Sequence, residues 1–248
     1  MQTLTNAEQR NGVLFLVGLA ALGWLLILWS LANMSSPVVA LTMPMDTSWS
    51  VGETFAVWVM WAVMMGAMML PSAIPMLIVH RRVAAKKDPG TRNSNQMFLL
   101  GYLVGWTIFS AAATAVQWAF QSADVLSPML VLRDPKVAGV VLIGAGMFQF
   151  TPLKTACLHK CRAPIGFLLT EWRPGRLGAF RMGLKHGQYC IGCCWALMMV
   201  VFVGGVMSLT TIAALSSLVL IEKLMTRGEL VAKLGGVLFC LWGVSLLV

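Results

Sequence analysis

The stretch Gly12-Val13-Leu14-Phe15-Leu16-Val17-Gly18-Leu19-Ala20-Ala21-Leu22-Gly23-Trp24-Leu25-Leu26-Ile27-Leu28-Trp29-Ser30-Leu31-Ala32-Asn33 contains no charged side chain. It is long enough to cross a hydrocarbon core of about 30 Å as a helix. The run is too long for a cleavable signal peptide, and no small-x-small cleavage site clearly follows it. Similar runs recur at 53–79, 97–121, 136–153, 187–206, 209–225 and 230–248. Hydrophobic residues make up 58% of the chain and charged ones only 11%, which excludes an ordinary soluble domain. Backbone groups in lipid must be paired internally, so these runs are expected to be helices. The sequence therefore predicts an all-α polytopic membrane protein, one integral domain over 1–248 with about seven transmembrane helices.

The net charge of +9 could suggest nucleic acid, but its distribution does not. Arg81, Arg82, Lys86, Lys87 and Arg92 lie in the connection 80–96. Lys154, Lys160, Arg162, Arg173, Arg176, Arg181 and Lys185 lie in 154–186, and Lys223, Arg227 and Lys233 near the last turn. With Arg10, they follow a positive-inside pattern. It places the N-terminus inside and the C-terminus outside, in a bacterial inner membrane. Anionic lipid accounts for the charge without nucleic acid. The opposite face includes the Ser/Pro/Thr-rich connection 34–52 with Met43-Pro44-Met45-Asp46.

One span carries His186-Gly187-Gln188-Tyr189-Cys190-Ile191-Gly192-Cys193-Cys194-Trp195. On a helix, His186, Cys190, Cys193 and Cys194 fall at about 0°, 40°, 340° and 80°. Four soft, metal-competent side chains thus share one stripe. A second group, Cys157-x-His159-x-Cys161, is expected in the long connection 154–186, on the same side. Thiols facing a reducing compartment stay free to bind metal. A Cys/His set suits Cu(I) or Zn²⁺, and thiolate combined with thioether favours copper. Cys240 is read as packing. Cys190-Ile191-Gly192-Cys193 also matches C-x-x-C, which keeps thiol–disulfide exchange open as an alternative, although no thioredoxin-like βαβ context surrounds it.

The thioethers come from Met60-Trp61-Ala62-Val63-Met64-Met65-Gly66-Ala67-Met68-Met69-Leu70-Pro71-Ser72-Ala73-Ile74-Pro75-Met76. Met64 and Met68 share one helical stripe, with Met65 and Met69 about 100° around. Pro71 and Pro75 cannot donate hydrogen bonds, which predicts a kink and freed carbonyls beside these methionines. Methionine also serves as a flexible core filler. Of the other polar groups, Glu222 is expected to partner a basic residue or a ligand, Lys223 to snorkel, and Lys154 to anchor at the inner interface.

Several classes are excluded. The histidines His80, His159 and His186 form no transmembrane haem pair. No nucleotide-binding loop and no Ser/His/Asp constellation occurs. Lys233 sits at the start of its span, unlike a retinal lysine.

Three segments carry a resemblance. They are Met64-Met65-Gly66-Ala67-Met68-Met69-Leu70-Pro71-Ser72, Thr151-Pro152-Leu153-Lys154-Thr155-Ala156-Cys157-Leu158, and Gly183-Leu184-Lys185-His186-Gly187-Gln188-Tyr189-Cys190-Ile191-Gly192-Cys193-Cys194-Trp195. Together with Glu222-Lys223, they resemble the predicted metal-binding integral membrane proteins of unknown function, domain of unknown function 2182. The resemblance runs from about residue 53 onward and implies a fold and a motif set but no reaction.

The sequence thus points to a soft-metal-binding membrane protein, with binding or transport expected rather than catalysis. Copper is the expected ion and zinc the alternative. The expected ligands are His186, Cys190, Cys193 and Cys194. Cys157, His159 and Cys161 would form an entry site, Met64, Met65, Met68 and Met69 a thioether path, and Glu222 would support from behind. The expected task is metal transport, or delivery to a membrane metalloenzyme or from a metallochaperone. A non-catalytic subunit or assembly factor stays open, as does assembly into homo- or hetero-oligomers.

Overall fold

A computed structural model describes residues 6–44, 48–91 and 93–248. Met45, Asp46 and Arg92 lie outside the described residues. The described residues form helices and no named strand; a single antiparallel bridge pairs Leu126 with Leu132. The helices run α1 (Asn6–Ala32), α2 (Pro37–Ala40), α3 (Val51–Lys87), α4 (Ser94–Ser122), α5 (Pro135–Phe148) and α6 (Pro152–Arg162). They continue as α7 (Pro164–Glu171), α8 (Gly175–Met199), α9 (Val201–Gly204), α10 (Leu209–Leu224) and α11 (Gly228–Ser245).

Five of them, α1, α3, α4, α8 running on into α9, and α11, are long and apolar enough to cross a membrane. The pair α5 and α6 would make a sixth span, bent by 63° at its break. Pro152 explains the bend. A residue before proline is pushed out of the α region, and Thr151 is extended (ψ 146°), its hydroxyl accepting from the Lys154 amide. The seventh expected span is α10, whose 16 residues reach about 24 Å, short of a full hydrocarbon core.

Local sequence sets the helix ends. Ser50 and Glu53 form a reciprocal capping box that starts α3, satisfying two otherwise orphaned donors. Helix α3 then runs unbroken for 37 residues through Pro71 and Pro75. The connection expected at 80–96 is therefore shorter than its charge pattern suggests, because α3 extends to Lys87.

The connection expected at 154–186 is not a loop. It consists of α6, α7 and the start of α8. Apolar residues at helical spacing pull it onto the bundle: Leu158, Phe167, Leu168, Ala179 and Met182 are all buried. Asp88, at the end of α3, accepts from the Gly175 amide at 2.7 Å and so ties the start of α8 to α3.

Helices α4 and α8 cross at close range. A Cβ at Gly101 would collide with the backbone at Phe180, and one at Gly183 with the carbonyl of Phe98. Small residues permit this approach where no hydrophobic effect drives helices together in lipid. The crossing brings Tyr102 of α4 against the cysteine face of α8. The outward faces of α1 and α11 stay apolar, with Leu14, Phe15, Leu25, Leu238, Leu241 and Trp242 exposed.

Candidate metal centre

His186, Cys190, Cys193 and Cys194 all face the interior of the bundle, and none is more than 3% exposed. Their common stripe follows from the i, i+4, i+7, i+8 spacing on α8. Cys193 and Cys194 are close to the Cys190 carbonyl, at 3.1 and 2.9 Å. Such bonds within the helix keep polar sulfurs satisfied inside an apolar core. All six cysteines are free thiols.

Four other helices converge on this stripe. From α3, the Met69 thioether lies 3.8 Å from the Cys194 sulfur. From α4, the Tyr102 hydroxyl donates to the Met69 carbonyl and lies 3.2 Å from Cys190 Sγ. From α6, the Cys161 thiol meets both Cys190 and Cys193. From α10, Lys223 Nζ lies 2.8 Å from Cys190 Sγ and 3.2 Å from Ser72 Oγ.

Lys223 therefore does not snorkel, since it is 9% exposed and its ammonium points at a thiol. Lys154 is not an interface anchor either. It is buried, and its Nζ lies 2.6 Å from Glu222 Oε2. Glu222 thus meets a basic residue, while its Oε1 has no partner.

The Cys-x-His-x-Cys group is split by helix geometry. Residues two apart on a helix point about 200° apart. Cys157 and Cys161 face α8, where a Cβ at Gly192 would come within 2.8 Å of Cys157 Sγ. His159 is on the exposed face of α6. It does not join the two cysteines as a third donor.

Of the four singled-out methionines, Met69 brings its sulfur to a thiol. Met64, Met65 and Met68 are buried in the core of α3. The carbonyls of Met68 and Met69 accept from Ser216 and from Ser72 and Tyr102. Hydroxyls thus cluster around the backbone just before Pro71.

Aromatic rings enclose His186: Tyr102 stacks on it at 5.7 Å, and Phe167 of α7 meets it edge-on at 5.5 Å. Its Nδ1 is buried without a partner. A buried unsatisfied ring nitrogen is costly unless something arrives to use it. His80, a residue the sequence reading used only to exclude haem, is also fully buried. Its ring lies 4.5 Å from Phe98, which in turn contacts His186 at 6.0 Å. Its Nδ1 lies 3.1 Å from Asn95 Oδ1.

The donor chemistry is soft: thiols, one thioether and an unpartnered imidazole nitrogen. That composition fits Cu(I) better than a hard cation. Among the described residues, however, no three His, Cys, Asp or Glu side chains group as a ready-made metal cage. A sequence model of the PpoB2 family, described as a copper chaperone, matches residues 58–246. The chain belongs to this family. No curated protein and no solved structure matches it. The PpoB2 match takes in every residue of the thiol centre, from Met69 to Lys223, and omits α1.

Tyr102 and Lys223 were the residues hardest to foresee. Tyr102 is one of only two tyrosines, and the small residues Gly101 and Gly105 beside it mark a close helix contact. Lys223 adjoins Glu222, but nothing in its spacing points to a cysteine on another helix.

Proposed function

We propose that this protein holds Cu(I) as cargo at the buried thiol centre and delivers it to a membrane metalloenzyme. Cys190 and Cys193 of α8 are the principal ligands, joined by Cys194 or by Cys161 of α6. The Met69 thioether borders the centre and offers a weaker soft donor for passing the ion on. His186 contributes its free Nδ1 when its aromatic surroundings adjust. Zinc is the competing ion.

The carrying observation is that soft side chains from separate helices converge on the α8 thiols, with Met69 Sδ of α3 lying 3.8 Å from Cys194 Sγ and Cys157 of α6 packed against Gly192 between Cys190 and Cys193. Packing alone does not require thiols from separate elements to converge in an apolar core. The exposed apolar faces of α1 and α11 suit lipid, and the positive-inside pattern puts the centre towards the cytoplasmic half of the bilayer. The family's description as copper chaperones supports delivery. Met64, Met65 and Met68 extend the soft lining along α3, while Cys157 stands at its α6 edge.

The test is metal content. Detergent-purified protein reconstituted anaerobically with Cu(I) is compared with a Cys190→Ser/Cys193→Ser/Cys194→Ser variant. Stoichiometric copper in the first and none in the second supports the reading. Equal copper in both sinks it.

A further inference from the structure

We propose that the groove between the end of α6 and the turn from α10 to α11 binds the phosphate headgroup of an anionic phospholipid. This site is separate from the thiol centre and needs no metal.

The groove has a volume of about 440 Å³ and is lined by Arg162, Thr226, Arg227, Glu229, Leu230 and Lys233. Three cations thus line it against one carboxylate. Among the described residues, no ion pair joins Arg162, Arg227 or Lys233 to a carboxylate. Like charges gathered in this way repel one another, and a shared anion relieves them. The turn holds Arg162 in place: its Nη2 donates to the carbonyls of Met225 and Thr226, just beyond α10. Gly228 lets the guanidinium approach, since a Cβ there would come within 3.0 Å of Arg162 Cζ. Arg162 Nε is buried and has no partner. A guanidinium fixed like this suits a phosphate, whose oxygens accept from its planar fork. Thr226 adds a hydroxyl donor, and the N-terminal end of the 18-residue α11 adds partial positive charge.

The surface beside the groove separates a lipid from a soluble phosphate. Starting from Leu230 in its wall, Leu234, Val237, Leu238 and Leu241 follow on α11 at i+4, i+7, i+8 and i+11. That spacing keeps all five within about 100° of arc on one face of the helix. All five are exposed. An apolar stripe therefore begins at a charged groove and continues along the helix, which is the shape of an amphiphile's binding site. The phosphate occupies the groove and an acyl chain follows the stripe. Glu229 can accept from a headgroup hydroxyl, which suits a glycerol headgroup. The positive-inside pattern puts this turn at the inner leaflet, where basic pockets between helices take anionic headgroups. Bound there, the phosphate ties the end of α6 to the α10–α11 turn.

The experiment uses purified full-length protein in detergent, without added metal. Binding of phosphatidylglycerol and of phosphatidylcholine is read by native mass spectrometry and by the rise of the thermal midpoint with lipid concentration. Phosphatidylglycerol should bind saturably and in preference to phosphatidylcholine. The main variant is Arg227→Gln/Lys233→Gln, which leaves the Arg162 bonds in place. It should weaken phosphatidylglycerol binding by about tenfold or more, the loss expected when two charged donors are taken from one anion. Lys86→Gln/Arg176→Gln removes the same charge from exposed positions outside the groove and should leave binding unchanged. Size-exclusion profiles identify variants that stay folded; if the double variant does not, Lys233→Gln against Lys86→Gln carries the comparison. No preference for phosphatidylglycerol, no loss in the groove variant, or an equal loss in both variants would overturn the inference. Inorganic phosphate should displace the lipid only at concentrations far above the lipid's own. Displacement at matching concentrations would overturn the lipid assignment and give the groove to a soluble phosphate.

Discussion

Lys154 Nζ lies 2.6 Å from Glu222 Oε2, and both side chains are 1% exposed. This pair fastens α6 to α10 behind the thiol centre. Cys157 and Cys161 lie one and two turns further along α6, and Lys223 directly follows Glu222. The pair thereby sets which thiols face one another.

Removing one partner leaves an unmatched buried charge, which costs about 3–5 kcal/mol. Lys154→Met and Glu222→Gln should each lower the thermal midpoint sharply, whereas Lys154→Met with Glu222→Met should regain much of the loss. Lys185 and Glu171 form a comparison pair with side chains 40% and 17% exposed. Breaking that pair should cost at most about 1 kcal/mol. Unfolding in detergent, followed by circular dichroism, measures both. Equal losses at the two pairs would contradict this account.

Copper affinity should separate the two halves of the Cys-x-His-x-Cys group. Cys161→Ser should weaken Cu(I) binding by about tenfold or more, as expected for a group contacting the metal shell. His159→Ala should leave it unchanged, because its ring lies on the exposed face of α6. Competition with a Cu(I) chelator distinguishes these outcomes, and a strong His159 effect would require a rearranged α6.

Met69→Leu should reduce Cu(I) affinity by up to about tenfold, with little change in stability because the exchange nearly conserves volume. Met64→Leu should be near neutral in both respects. The same chelator assay, paired with thermal midpoints, reads the difference. A Met64 effect as large as that of Met69 would argue for a longer thioether path.

At its tightest points the α4–α8 crossing should not tolerate an added methyl group. Gly183→Ala would drive a Cβ into the Phe98 carbonyl, an overpacking that costs about 1–3 kcal/mol or more. Gly18→Ala, where no atom lies within 4 Å, is the control. Thermal midpoints should fall in the first variant and stay level in the second.

Asp88 lies just beyond the α3 span. Bonds from Thr91 and the Gly175 amide hold its carboxyl below the ordinary aspartate range. A depressed folded value means that the stabilisation is present above the unfolded pKa near 3.9 and is lost as pH falls through the folded value. Protease accessibility of the junction between α7 and α8 should rise in that acidic window. Asp88→Asn should remove the pH dependence; a variant that kept it would assign the effect to another group.

Much of the architecture was legible because burial in lipid leaves few options. A run such as 12–33 must be helical, and the expected spans overlap helices, although 136–153 straddles the break between α5 and α6 and α10 falls short of a full span. The stripe of His186, Cys190, Cys193 and Cys194 was legible for the same reason, since one helix fixes its own angles. Residues 154–186 were misjudged because their charges mask a helical pattern. Leu158, Phe167 and Leu168 supply one buried face beneath the basic surface. The roles of Lys154 and Lys223 were missed because a lysine near a helix end can reach either the interface or the core. Only the presence of Glu222 and Cys190 within reach decides which.

The sequence by itself determined an all-helical class with helices long and apolar enough to cross a membrane, and the shared stripe of His186, Cys190, Cys193 and Cys194, through periodicity and residue chemistry within single elements. Only the tertiary structure decided which donors meet. It brought Cys161 and Met69 to the α8 thiols, turned His159 away, and set the Lys223 charge on Cys190. Those relations join residues far apart in the chain. They depend on how α3, α4, α6, α8 and α10 pack, which no periodicity within one helix encodes.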